Sequence, residues 1–186
     1  MATFLLSPAR CSGRRADLLV TSRVSPLGDE LRGRGARIGD VFAWLSALYF
    51  RGKLTYARAF GRTLIMAPGA GLVTHDTRIT ADDLRAMGQI EIESEAFARP
   101  LRRAATRLRT RGPVVLLGSI ASAKYTATLL DVLGERLVFP ASFVGRGDMS
   151  RGGLLLRAAR ANAELDYAPV RGAVLRGTRP PKLTAS

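Results

Sequence analysis

VVLLGSIASAKY, residues 114–125, decides how the chain reads. Four apolar residues sit between Gly112-Pro113 and Gly118. A run that short, bounded by turn residues, suits a fully buried strand rather than a helix. Small residues and Lys124 follow, and a helix is predicted over 122–133, closed by Gly134. A buried strand that turns straight into a helix is half of a βαβ unit.

The same texture recurs on both sides. Strands are predicted at TFLL (3–6), TLIMA (63–67), RLVFP (136–140) and, as an edge strand weakened by Pro169, DYAPV (166–170). Helices are predicted over 14–20, capped by Ser12, and after Ser25-Pro26. A long apolar helix is predicted over 41–60, capped by Asp40, and a short one after Thr80. An arginine-rich helix is predicted over 99–111, with Leu101, Ala104, Ala105 and Leu108 on its apolar face, and a last one over 150–165. THDTRIT and the glycine-rich FVGRGDMSRGG read as loops. Strands alternating with helices predict a single-domain α/β three-layer sandwich over residues 1–170. Its sheet is mainly parallel, with helices on both faces. Residues 171–186 read as a basic, proline-containing tail.

Composition narrows the partners. The 186 residues carry a formal charge of +14, which favours phosphate-bearing ligands or nucleic acid. No apolar run is long enough for a membrane span. One cysteine, Cys11, forbids an internal disulfide, and with one histidine, His75, no metal site or cofactor is expected. These traits point to a cytoplasmic protein.

Ligands of open α/β sheets bind beyond the carboxyl ends of the strands. Three loops there combine small residues with charge: SPARCSGRRA, GSIASAKY and FVGRGDMSRGG. In the second, Gly118 admits an anion closely, and Ser119 and Ser122 offer hydroxyls. Lys124 adds charge, and Tyr125 either stacks on a base or fills the core. In the third, Arg146 and Arg151 suit an oxyanion, and Asp148 suits a base or a ribose contact. Arg14 adds charge from the first loop. Asp148 and Lys124 are the candidate catalytic pair. GSIASAK is not a P-loop, because Ala123 replaces the second glycine of that motif.

Smaller constellations remain. Tyr49 and Lys53 have the YxxxK spacing of short-chain dehydrogenases, without a glycine-rich turn near the first strand. His75 and Asp76 are adjacent in a loop. Cys11 lies in a basic setting, expected to lower its pKa.

LLSPARCSGRRA, ALYFRGKLTYA and VVLLGSIASAKY together resemble, in layout across roughly residues 3–157, uncharacterised bacterial α/β proteins. Those are distantly similar to the peroxide-stress-response DNA-binding family and to uracil-DNA-glycosylase-like folds. The resemblance implies an α/β fold with a nucleotide-scale pocket. The first loop reads SPARCSG where the glycosylases carry a GQDPY-like run.

Three functions are therefore expected in turn. The first is a phosphate-bearing nucleotide or nucleic-acid ligand at the carboxyl edge of the sheet, with N-glycosidic or phosphoryl transfer or hydrolysis as the attendant chemistry. The second is non-catalytic nucleic-acid binding through helix 99–111, Arg14, Arg15 and the tail. The third is an oligomeric or structural role for the long apolar helix.

Overall fold

Three apolar runs without alternation become the centre of one sheet, since only strands covered on both faces can be apolar at every position. The computed structural model describes residues 1–181 apart from positions 111, 122, 176 and 179. In chain order its elements are β1 (Ala2–Leu6), α1 (Arg14–Thr21), α2 (Pro26–Arg32), β2 (Ala36–Arg37) and α3 (Ile38–Phe60). Next come β3 (Gly61–Ala67), β4 (Gly71–Thr74), β5 (Arg78–Ile79), α4 (Ala81–Gly88) and α5 (Glu95–Thr106). The chain continues through β6 (Val114–Leu117), α6 (Thr126–Leu133), β7 (Leu137–Pro140), α7 (Asp148–Arg160) and β8 (Tyr167–Pro169).

Six strands form the main sheet in the order β4-β3-β1-β6-β7-β8. The inner four are parallel, and β4 and β8 run antiparallel at the edges. Helices lie on both faces: α3 packs on α7, and α5 on α6. Phe4, Leu5 and Leu6 of β1 and Val114 to Leu117 of β6 are wholly buried. Burying an aliphatic or aromatic side chain of this size is worth about 1.5–3 kcal/mol, so the central strands hold much of the core's stabilisation. This is the α/β sandwich expected from the alternation of strands and helices.

Several boundaries differ from the sequence reading. Helix α5 begins at Glu95, not 99, and ends at Thr106, which leaves Pro100 inside it. Its buried stripe of Phe97, Leu101 and Ala105 outweighs the amide that Pro100 cannot donate. Helix α3 begins at Ile38 with Asp40 in its first turn rather than at the cap, and is broken at Ala47 (φ 44°, ψ −124°). Gly13, not Ser12, precedes α1 and no side chain caps it. The turn through Tyr125 delays α6 to Thr126. The glycine-rich segment at 148–153 is not a loop but the first turns of α7, which ends at Arg160. Its glycines serve packing: a Cβ on Gly52 would fall 2.6 Å from the Gly152 carbonyl oxygen, and one on Gly152 would fall 2.7 Å from that of Leu48. Side chains there would hold α3 and α7 apart. Residues 78–79, within the stretch read as loop, form β5, and residues 71–74 form β4, which closes a hairpin on β3.

Thr80 and Asp83 form the capping box of α4, and the Ser25 side chain accepts from the Gly28 amide at the start of α2. Both follow from local sequence alone.

Candidate functional site

The winding of the sheet reverses between β1 and β6. The chain leaves β1 for β3 on one side, then crosses to β6 on the other. The carboxyl ends of these two strands therefore diverge into different loops, which is where open sheets of this kind hold ligands. Ser7 follows β1, and Gly118 follows β6. The Ser7 amide donates to the Leu117 carbonyl at 3.1 Å, so the two ends are tied.

Lys53 reaches this point from α3. It is 1% exposed, and its Nζ lies 2.8 Å from the Ser7 carbonyl oxygen and 2.9 Å from Ser7 Oγ. The rings of Tyr49 and Phe50 flank it at 4.5 and 4.7 Å. Among the described residues it has no carboxylate partner. Burial pushes its pKa from 10.5 down to about 7; the Asp148 carboxylate opposes that shift and the Arg151 guanidinium adds to it. Desolvation wins because both charged groups act from a distance, with no direct bond to Nζ.

Two tyrosines complete the cluster. Tyr125 packs over Gly118, where an added Cβ would lie 2.7 Å from the tyrosine hydroxyl and 2.8 Å from Ser7 Cβ. The Tyr125 hydroxyl donates to the Ser119 carbonyl at 3.0 Å. The Tyr49 hydroxyl is buried without a hydrogen bond of good geometry, on the side facing Arg151. Burial raises the pKa of both phenols, so both remain protonated donors at neutral pH.

Around this packed cluster lie two clefts. One, of about 360 Å³, is bordered by Arg10, Ser12 and Lys124 on its basic side and by Glu91 and Glu93 on its acidic side. The other, of about 600 Å³, is bordered by Arg146, Asp148 and Arg157 near Pro180 and Pro181. Lys124 and Asp148 therefore line different clefts, and the three loops do not form one common cavity. Arg151 is turned inward: its side chain is 12% exposed, sits 3.5 Å from the Asp148 carboxylate and donates twice to the Phe143 carbonyl at 3.2 Å. Asp148 is 68% exposed. Arg146 donates to the Ser142 carbonyl and the Ser150 hydroxyl. Ser119 uses its hydroxyl as acceptor for the Ala121 amide. Arg14 is exposed at the start of α1 and borders neither cleft. Ser122 lies outside the described residues.

Two smaller readings change. Cys11 is buried, and that burial raises its thiol pKa from 9.0 to about 12, the reverse of activation. Asp76 takes its hydrogen bond from the Thr74 hydroxyl rather than from His75, so the neighbours do not form an acid–base pair.

A third cleft, of about 530 Å³, runs between α5 and the β3–β4 hairpin. Arg62, Arg99, Arg103 and Arg107 border it, above Leu64, Leu72 and Leu108, and no carboxylate does. Arg99, Arg103 and Arg107 recur every four residues, so they line one face of the helical path at about 6 Å intervals. None of the four side chains makes an ion pair or hydrogen bond among the described residues. Arg102, on the adjoining face, is 4.0 Å from Glu95.

Sequence reasoning missed Ser7 and Arg62. Ser7 is a small polar residue ending an apolar run, a weak signal; Arg62 is one arginine among many. Lys53 was visible through its spacing from Tyr49 and its place on the long helix, not through any sign of its burial. The molecule is thus an α/β sandwich with a buried lysine at the reversal of its sheet and an arginine-lined cleft at one edge. No protein-family model, curated protein or solved structure matches the chain. Among the described residues, no helix is long and apolar enough to cross a membrane.

Proposed function

We propose that this chain binds the phosphate backbone of a nucleic acid along the cleft between α5 and the β3–β4 hairpin. The observation that carries this reading is the set of four arginines there, none engaged with an acid and none facing one across the cleft. Some arginines elsewhere do pair with acids, as Arg32 does with Asp29, Arg34 with Glu30 and Arg85 with Asp82. What sets the cleft apart is that four arginines border one groove that no carboxylate borders. Guanidinium groups present planar forks of donors that match phosphate oxygens. The apolar floor holds no aromatic ring for base stacking, so contact is to the backbone and largely indifferent to sequence. The net charge of +14 draws the same ligand from a distance.

The test is the salt dependence of binding to a labelled 20-residue oligonucleotide. Four phosphate contacts on a single strand give a slope of log K against log salt of about −3. Replacing Arg99, Arg103 or Arg107 with glutamine lowers the slope by about one each for duplex, somewhat less for a single strand. A slope unchanged in the triple variant would sink the proposal.

A second reading keeps a nucleotide at the carboxyl edge of the sheet, in the cleft bordered by Arg10 and Lys124. Its two-signed border favours it: the cations suit a phosphate, and Glu91 and Glu93 suit ribose hydroxyls or base amines. Those same glutamates repel a polyanion. A volume of about 360 Å³ is within the range of small-molecule sites. N-glycosidic or phosphoryl chemistry is the class such a ligand would offer. A nucleotide there raises the melting temperature, and Lys124→Ala removes most of that rise.

A further inference from the structure

We infer that Ser7 and Lys53 form a nucleophile–base pair able to accept an acyl group from an ester, with Tyr125 as the cover over Ser7. The pair has the required contact, a lysine nitrogen 2.9 Å from a serine hydroxyl oxygen. It also has the required orientation. The Ser7 carbonyl, 2.8 Å from Nζ, takes one N–H of the amine. A neutral amine then directs its lone pair toward Ser7 Oγ, so the hydroxyl becomes the donor and its proton has a place to go.

A buried lysine bound only to oxygen acceptors is a poor ion pair and a good base. Desolvation lowers its pKa to about 7, so a large fraction is unprotonated at ordinary pH, the condition for a lysine to act as general base. Ser7 stands at the end of the central strand, at the reversal of the sheet. Gly118, having no Cβ, lets the Tyr125 hydroxyl sit beside the Ser7 side chain. The Tyr49 ring lies against the same lysine, and its buried hydroxyl, without a hydrogen bond of good geometry, faces Arg151. Ser7 itself is 6% exposed, so an ester reaches it when Tyr125 moves aside.

The step balances without a further reagent. Lys53 takes the proton of Ser7 Oγ, and the oxygen attacks the ester carbonyl carbon. The bond from that carbon to the leaving oxygen breaks, and the leaving group departs as an alkoxide or phenolate that takes a proton from Lys53 or solvent. Lys53 is neutral again once its proton has gone to the leaving group or to solvent. It then takes a proton from the water that attacks the acyl carbon and passes it to Ser7 Oγ as the acyl bond breaks, which leaves Ser7 free and releases the carboxylic acid.

The probe is p-nitrophenyl acetate with peptide mapping of the acetylated protein. Ser7 is acetylated in the wild type and about tenfold faster in Tyr125→Ala, which removes the cover. Lys53→Met slows acetylation of Ser7 by about 100-fold or more, the usual contribution of a general base. Ser7→Ala abolishes it at that position. An absence both of acetyl-Ser7 and of p-nitrophenol release that depends on Ser7, in wild type and in Tyr125→Ala, overturns the inference, as does an equal rate in folded Lys53→Met. Should Lys53→Met not fold, the wild-type pH profile decides. A rate that rises through pH about 7 and then levels supports the pair; a rate proportional to hydroxide throughout overturns it.

Discussion

Lys53 and the arginines of the α5 cleft carry the same formal charge and live in opposite surroundings. Lys53 is sealed inside, with its nitrogen on two oxygens of one serine. Arg62, Arg99, Arg103 and Arg107 are exposed and bind nothing in the described chain. The ammonium loses its water and yields its proton more readily. The guanidinium groups keep their water and their charge. One region thus offers reactivity at the expense of charge, and the other offers charge without strain on the fold. A positive residue count therefore says little about function until burial is known.

The sharpest way to break this contrast is to remove Lys53. Lys53→Ala leaves the Ser7 carbonyl without its partner and opens a cavity beside Tyr49 and Phe50. A loss of about 3 kcal/mol is expected, a fall in melting temperature of roughly 10 °C. A loss below about 1 kcal/mol in thermal or denaturant unfolding would mean the lysine is not sealed as described.

The pH dependence of stability is the next largest effect. The lysine's pKa is about 7 folded and 10.5 in the unfolded chain. Between those values the unfolded state holds more protons, so stability rises with pH. Below pH 7 both states are protonated, and the cost of burying the charge is present in full. Between pH 7 and 9 the gain is about 2 kcal/mol, because the slope approaches 1.4 kcal/mol per unit. Above about pH 9 the buried Cys11 works the other way, since its thiol stays protonated when the unfolded one ionises. Denaturant melts across pH 6–9 should show the rise in the wild type and none in Lys53→Met.

The smallest expected effect sharpens the contrast from the other side. Arg103→Gln should change stability by less than about 0.5 kcal/mol, since an exposed, partnerless guanidinium contributes little to folding. The same substitution should weaken oligonucleotide binding severalfold. A destabilisation comparable to that of Lys53→Ala would mean that the cleft arginines hold the fold together rather than a ligand.

The sheet was legible because its inner strands are short apolar runs punctuated by glycine and proline. Val114 to Leu117 and Phe4 to Leu6 can be little else. Helix limits were less so. Pro100 looks like a helix start, yet the burial of Phe97 carries the helix one turn further back. Gly152 looks like loop material, yet it lets α7 approach α3. At the candidate sites, Gly118 and Tyr125 lie packed together at the end of the central strand, while Lys124 and Asp148 parted into different clefts. Lys53 and Ser7 are 46 residues apart, and nothing local announces their contact.

Residue order alone determined the alternation of strands and helices, the local caps and the excess of positive charge. These depend on neighbours within a few positions, where sterics and periodicity act. Only the tertiary structure decided which charges are stripped of water, which lie open, and which loops share a cleft. Desolvation and Coulomb interaction depend on distances through space, and the chain sets those only once the sheet has closed around Lys53.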